Sequence, residues 1–243
     1  MAYFKNFPLV EYLYGGETSL SLAQNLTVAV SLIDELKGNA TFYNSFEIKD
    51  NERPDTLSYL LYGTTDYYWT FYFLNQDLRE SGWPLTEKEL LPLAKTSYPN
   101  FVFTTADDIS TTFLSGETIT GNSSGAVGTI RQKKLDMGQI IVSVTSGTFL
   151  DTETVFAGTE ENINKTLTNV TEQYNAVHHY ENTDGEYQDI NPYTFNSGAS
   201  SFIPITNLNR MVLRNDELRT IDVFKPEVAA QVAAEFNNLL RFE

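Results

Sequence analysis

The stretch from Glu52 to Leu85 constrains the fold of this chain more than any other. Glu52-Arg53-Pro54-Asp55-Thr56-Leu57-Ser58-Tyr59-Leu60-Leu61-Tyr62-Gly63 predicts a short helix. Pro54 suits a first helical turn, where its missing N–H costs nothing. Leu57, Leu60 and Leu61 recur at i, i+3, i+4 and predict one apolar face. Gly63 stands where a left-handed cap ends such a helix. Asp66 is placed to cap a second helix, in which Trp69, Tyr72 and Phe73 repeat the spacing. With a strand-like Thr41–Lys49 before and Gly82-Trp83-Pro84-Leu85 after, the predicted order is β-α-α-β.

Bulk properties narrow the function classes. At 243 residues the chain is long enough for one or two domains, each with a core. No apolar run approaches the roughly 18 residues of a membrane span. Met1 to Pro8 lacks a basic region leading into an apolar one, so no signal peptide is expected. A net charge of −16 opposes binding to nucleic acid or to anionic lipid, and suits either solubility or a basic partner. The absence of cysteine excludes disulfides, thiol nucleophiles and thiolate metal sites. Aromatic residues, at 13%, are of the kind enriched at protein interfaces.

The predicted class is α+β, in four parts. Residues 1–40 form an apolar arm and a helix carrying Leu22, Leu26, Ala29, Val30 and Ile33. Residues 41–103 hold the β-α-α-β unit, followed by a helix opened by the capping box Thr86-Glu87-Lys88-Glu89 and expected to kink or stop at Pro92. Residues 104–160 are poor in charge and rich in Thr, Ser, Gly and β-branched residues. They predict an inserted small all-β barrel or sandwich, with Gln139–Val144 as one strand. Within it Phe113-Leu114-Ser115-Gly116-Glu117-Thr118-Ile119 echoes Phe149-Leu150-Asp151-Thr152-Glu153-Thr154-Val155. Residues 161–243 predict a hairpin turning at Asp184-Gly185, a strand over Leu218–Phe224 and an amphipathic helix opened by Pro226.

No constellation for chemistry emerges. His178 and His179 are adjacent, and neighbours on a strand point to opposite faces, so one shared metal or catalytic pair is not expected. Glu11, Glu17, Asp107-Asp108 and Asp184/Glu186 are candidate acid–base pairs only in the sense that 32 acidic residues make some pairs inevitable. Glu181–Glu186 lacks the ligand spacing of a calcium loop. Gly121-Asn122-Ser123-Ser124-Gly125-Ala126-Val127-Gly128 lacks the Gly-Lys-Ser/Thr ending of a phosphate loop and reads as a turn. Catalytic, cofactor and metal sites are therefore all expected to be absent.

What remains is surplus apolar surface. A small β-α-α-β unit needs one side of each helix for its own core. Tyr62, Tyr67, Tyr68 and Phe71 are thus expected on a protein-binding surface, and Val228, Val232, Phe236 and Leu239 of the last helix on another.

The β-α-α-β outline resembles a LysM module. More widely, the chain resembles the baseplate wedge protein of contractile-tailed bacteriophages, the fifty-third gene product family of the T-even group, especially its cyanophage-type members. Tyr3–Pro8, Glu52–Asn75 with Gly82–Leu85, and Leu213–Leu240 carry the resemblance; His179–Gly185 adds a weaker fourth block. The resemblance implies a structural virion subunit in the tail baseplate, assembled in the host cytoplasm, six copies per baseplate. It would join neighbouring wedges through a LysM-like unit that binds protein. Its implied partners are other wedge subunits and the sheath-proximal and hub proteins, with no nucleic acid, membrane or cofactor. Residues 104–160 depart from the T-even form. A peptidoglycan-binding LysM protein and a tail-associated hydrolase are the alternatives; the first lacks a signal peptide and a second module, the second an active site.

Overall fold

In a computed structural model, the structure describes residues 7–13, 20–25, 42–158, 164–195 and 201–242. The chain is α+β, as its pattern predicts. It divides into two compact units, residues 1–86 with 215–243 and residues 87–214. The second is therefore inserted into the first. It is larger than the predicted insertion at 104–160, because the sheet recruits strands from both sides of that segment.

In the first unit, strands β1 (Leu9–Leu13) and β2 (Leu20–Gln24) form an antiparallel ribbon, Val10 facing Ala23 and Tyr12 facing Ser21. Strand β3 (Tyr43–Glu47) then leads into helix α1 (Pro54–Tyr62). Pro54 lies in the first turn of α1, and Gly63 closes it in the left-handed region (φ 72°), its N–H donating to Tyr59 O. The second predicted helix starts later than its pattern suggests. Thr64, not Asp66, is the cap: its side chain accepts from Asp66 N at the start of a 3₁₀ turn over Thr65–Tyr67. Helices α2 (Trp69–Leu74) and α3 (Gln76–Ser81) follow.

Gly82–Leu85 is not a strand. Trp83 Nε1 donates to Glu52 O (2.7 Å), and both backbone groups of Leu85 are taken by the Asn215 side chain (2.7 and 3.0 Å). The partner of β3 is instead β14 (Thr220–Phe224), which pairs antiparallel with it, Phe46 facing Ile221. A second asparagine does for β14 what Asn215 does for Leu85. Asn75 Nδ2 donates to Asp222 O and Asp222 N donates to Asn75 Oδ1, each at 2.8 Å. Helix α6 (Pro226–Phe242) then packs on α1. Leu57, Phe71, Leu78, Ile221 and Val223 form one buried cluster; Trp69, Phe73, Phe224, Val232 and Phe236 form another.

The second unit opens with helix α4 (Glu87–Ser97), which continues through Pro92. Its sheet contains β4 (Phe101–Thr104), β5 (Thr118–Gly121), β6 (Val127–Lys134), β7 (Gln139–Ser146), β8 (Thr154–Ala157), β9 (Asn164–Thr166) and β10 (Asn169–Glu172). The order is β10-β4-β7-β6-β5-β8-β9. The two edge strands are separated by Leu167 and Thr168 alone, whose N–H groups donate to Glu153 O (2.9 Å) and Thr104 O (2.7 Å). One bent segment thus supplies both terminal strands and curls the sheet into a half-barrel. Alternate residues of β7, Ile140 and Val142, face the core with Phe103, Ile119, Ile130 and Phe149. A hairpin of β11 (Val177–Glu181) and β12 (Tyr187–Gln188) turns through Gly185 as predicted. β13 (Ile203–Thr206) pairs on the other side of β11. Helix α5 (Asn207–Glu217) follows.

The sequence echo is a repeated turn. In each copy the leucine N–H donates to the glutamate three residues on, Leu114 N to Glu117 Oε2 (2.8 Å) and Leu150 N to Glu153 Oε1 (2.7 Å). The residue before each glutamate has positive φ, Gly116 at 93° and Thr152 at 63°. Glu153 is the buried copy and also accepts from Ser124 N and Ser124 Oγ, both at 3.0 Å. It locks the turn from Gly121 to Ala126, where a Cβ at residue 121 would collide with that carboxylate.

Two stability outcomes follow, and both tryptophans, Trp69 and Trp83, report on the first unit alone. Asn75→Ala should cost the first unit about 2 kcal/mol, by leaving Asp222 backbone groups unpaired; its tryptophan-fluorescence transition should move to lower urea. Glu153→Ala should cost the second unit about 3 kcal/mol and Glu117→Ala about 1 kcal/mol, since the first removes three bonds to a buried carboxylate and the second one. Equal urea midpoints for the two glutamate variants by far-UV circular dichroism would contradict this account.

Candidate functional site

Of the eight expected interface residues, three are core and four pack half-buried against it. Phe71, Val232 and Phe236 are 0%, 4% and 3% exposed. The Phe236 ring lies 4.7 Å from Trp69 and 5.8 Å from Phe7. Tyr62, Tyr67, Tyr68 and Val228 are half-buried against the same cluster. Tyr62 stacks on Phe71 and donates its hydroxyl to Phe224 O (3.1 Å), and burial pushes its pKa up to about 12. The side chain of Leu239 lies outside the described residues. The two expected surfaces meet each other: Tyr62, Tyr67 and Tyr68 pack against the same cluster as Val228, Val232 and Phe236. Alanine at Phe236 would therefore open a cavity in the core and not disrupt an external contact.

Both units leave large apolar side chains exposed, Leu91, Leu93, Leu114, Leu135 and Leu150 among them in the second; in the first they lie away from the expected residues. On α1, Leu57 and Ser58 face inward, while Tyr59 and Leu60 are 64% and 67% exposed. Leu60 is thus not part of the buried stripe its spacing predicts. On the β1–β2 ribbon, Leu9, Tyr12, Leu20 and Leu22 are each more than half exposed. Leu22 stands on a strand, contrary to the predicted helix; the alternation Leu20-Ser21-Leu22 is the signal that favours a strand. Leu26, Ala29, Val30 and Ile33 lie outside the described residues.

The carboxylate candidates hold loops. Asp107 Oδ2 accepts from Thr166 N (2.9 Å), and Asp108 accepts from Ser110 N (2.8 Å), which holds its carboxyl below the usual range. Asn182 Oδ1 accepts from both Asp184 N and Glu186 N and so organises the hairpin turn. Glu11 lies exposed on β1, and Glu17 is outside the described residues. Among the described residues no group of three or more His, Asp or Glu is placed to hold a metal ion.

The histidines depart from the alternation argument. A bulge between Val177 and His179 breaks the β11–β13 register and brings both rings together. Four side chains form a continuous chain: Arg210 to His178 Nε2 (2.9 Å), His178 Nδ1 to His179 Nδ1 (3.0 Å), and His179 Nε2 to Glu181 Oε1 (2.9 Å). The always-donating guanidinium fixes His178 Nε2 as an acceptor. His178 must then donate from Nδ1, and His179 from Nε2. Both rings are neutral in this arrangement. Tyr187 stacks on His179 at 5.3 Å. With every ring nitrogen hydrogen-bonded, the arrangement fastens α5 to β11.

No family model matches the chain, and no curated protein matches it.

Burial, then Arg210, Lys134 and His179, lower the His178 pKa to about 4; Asp136 opposes them. Above pH 6.5 the ring is neutral folded and unfolded. As pH falls towards 4 the unfolded chain takes up a proton that the folded chain refuses, so stability declines across that window. His178→Gln should lose less stability than wild type between pH 6.5 and 4. Parallel losses in urea titrations of the two proteins would count against the assignment.

Proposed function

We propose that this chain is a non-enzymatic structural subunit of a contractile phage-tail baseplate, joining neighbouring wedges through its first unit. The observation that carries this reading is the exposed apolar set on the β1–β2 ribbon, Leu9, Tyr12, Leu20 and Leu22. A two-stranded ribbon is marginal alone in water and gains order from a partner. Tyr59 and Leu60 add a second exposed apolar face on the same unit. The arrangement of the resemblance supports the same conclusion. Its three main blocks, Tyr3–Pro8, Glu52–Asn75 with Gly82–Leu85, and nearly all of Leu213–Leu240, lie in the first unit; the weaker block His179–Gly185 and the divergent 104–160 lie in the second. The partners on this proposal are other wedge subunits and the sheath-proximal and hub proteins, with six copies per baseplate. Neither nucleic acid nor lipid is a partner, in keeping with the −16 charge. Among the described residues no helix is long and apolar enough to cross a membrane.

Leu22→Asp combined with Tyr12→Asp should leave the tryptophan-fluorescence transition in place and abolish joining of wedges into a ring, scored by electron microscopy of assembling tails. Quantitative mass spectrometry of purified particles should give six copies per tail. A chain missing from particles, or rings that form normally with the double variant, would overturn the proposal.

A further inference from the structure

The second unit carries a cleft of about 480 Å³, within the roughly 300–1,000 Å³ typical of small-molecule sites. In a chain of net charge −16, no charged side chain lines it among the described residues. Its walls combine ring and proline faces with hydroxyls and amides. On one side, Tyr180 of β11 packs against Phe195 with ring centroids 4.7 Å apart. Pro192 closes against the barrel because residue 138 is glycine at φ 59°; a Cβ there would sit 2.9 Å from Pro192 Cβ. On the other side stand Thr104, Thr171 and Gln139.

Gln139 marks this as a built site. It is 96% buried on β7, and its Nε2 is anchored on Val177 O at 2.8 Å. Among the described residues its Oε1 accepts no hydrogen bond. A sealed, unpartnered amide oxygen would be costly, and this one is not sealed: Thr112 Oγ1 is the buried side-chain atom without a partner among the described residues. The Gln139 oxygen therefore opens into the cleft, held in a fixed direction by its own amide nitrogen. The Tyr180 hydroxyl also has no hydrogen-bond partner among the described residues.

We infer that this cleft binds an uncharged saccharide, a sugar ring lying against Tyr180 and Phe195 with a hydroxyl donating to Gln139 Oε1. Sugar rings present apolar C–H faces and hydroxyl edges, which match aromatic walls and fixed neutral acceptors. A purely apolar ligand would leave Gln139 unsatisfied. An anionic ligand would find no cation in the lining and a repelling protein around it. This site lies in the second unit and is independent of the assembly role proposed for the first.

Isothermal titration calorimetry of the full chain with maltose, cellobiose and N,N′-diacetylchitobiose should give saturable binding of at least one. Phe195→Ala should weaken it by about tenfold, the loss of one aromatic face. Tyr180→Phe should weaken it a few-fold while keeping the ring, and Gln76→Ala, in the first unit, should leave it unchanged. The anionic 3′-sialyllactose should not bind. The inference fails if none of the three neutral disaccharides binds at tens of millimolar. It also fails if sialyllactose binds as well as they do, or if binding survives both Tyr180→Phe and Phe195→Ala in variants with wild-type circular dichroism. Should Phe195→Ala not fold, Tyr180→Phe alone decides the matter.

Discussion

Everything in the first unit depends on joining two stretches of chain that lie far apart in sequence. Asn75 pairs with both backbone groups of Asp222, and Asn215 with both backbone groups of Leu85. A primary amide offers a donor and an acceptor side by side, as a neighbouring strand would. Each asparagine therefore satisfies backbone groups that a two-stranded sheet is too narrow to reach. Arg219 reinforces the junction, with Nη2 bonded to Asp50 (3.0 Å) and to Leu85 O (3.1 Å). Because Leu85 and Asn215 are held together, residues 87–214 can fold between them, and the closure entropy of a long insertion grows only slowly with its length.

The second unit answers a different constraint. The bend at Leu167-Thr168 lets one segment pair with β8 through β9 and with β4 through β10, and so form both ends of the sheet. Leu167 is 1% exposed, so the bend is itself packed into the barrel core. Glu153 ties that core to the turn above it, since its side chain holds Ser124 and its backbone carbonyl receives Leu167 N. One buried carboxylate thus couples the Gly121–Ala126 turn to the bent segment.

This division has a functional consequence. The first unit exposes apolar residues on a ribbon and a helix, and the second, which also exposes leucines such as Leu114 and Leu150, presents a cleft lined by amides and hydroxyls. On the readings proposed above, binding to neighbouring subunits would fall to one unit and binding to a small neutral ligand to the other.

Local patterns fixed much of the secondary structure. Pro54 and Gly63 bound α1, the β-branched run of β7 makes a strand, Asp184-Gly185 makes a turn and Pro226 opens a helix, all through forces acting within a few residues. The glutamate echo was also legible, because each copy closes its own turn. Three things were decided only in the folded chain. Local pattern points to Gly82–Leu85 as the strand beside β3, yet the partner is Thr220–Phe224, since strand pairing is a long-range choice that local pattern does not encode. The aromatic residues around α2 and those of α6 are expected on two protein-binding surfaces, yet in the fold Trp69 and Phe236 pack on each other. The histidines of β11 share a side only because a bulge shifts register against β13, and sequence alternation assumes a regular strand. The neutral cleft left no trace in the sequence at all, for Gln139, Tyr180 and Phe195 are ordinary residues until the barrel and the hairpin bring them to one place.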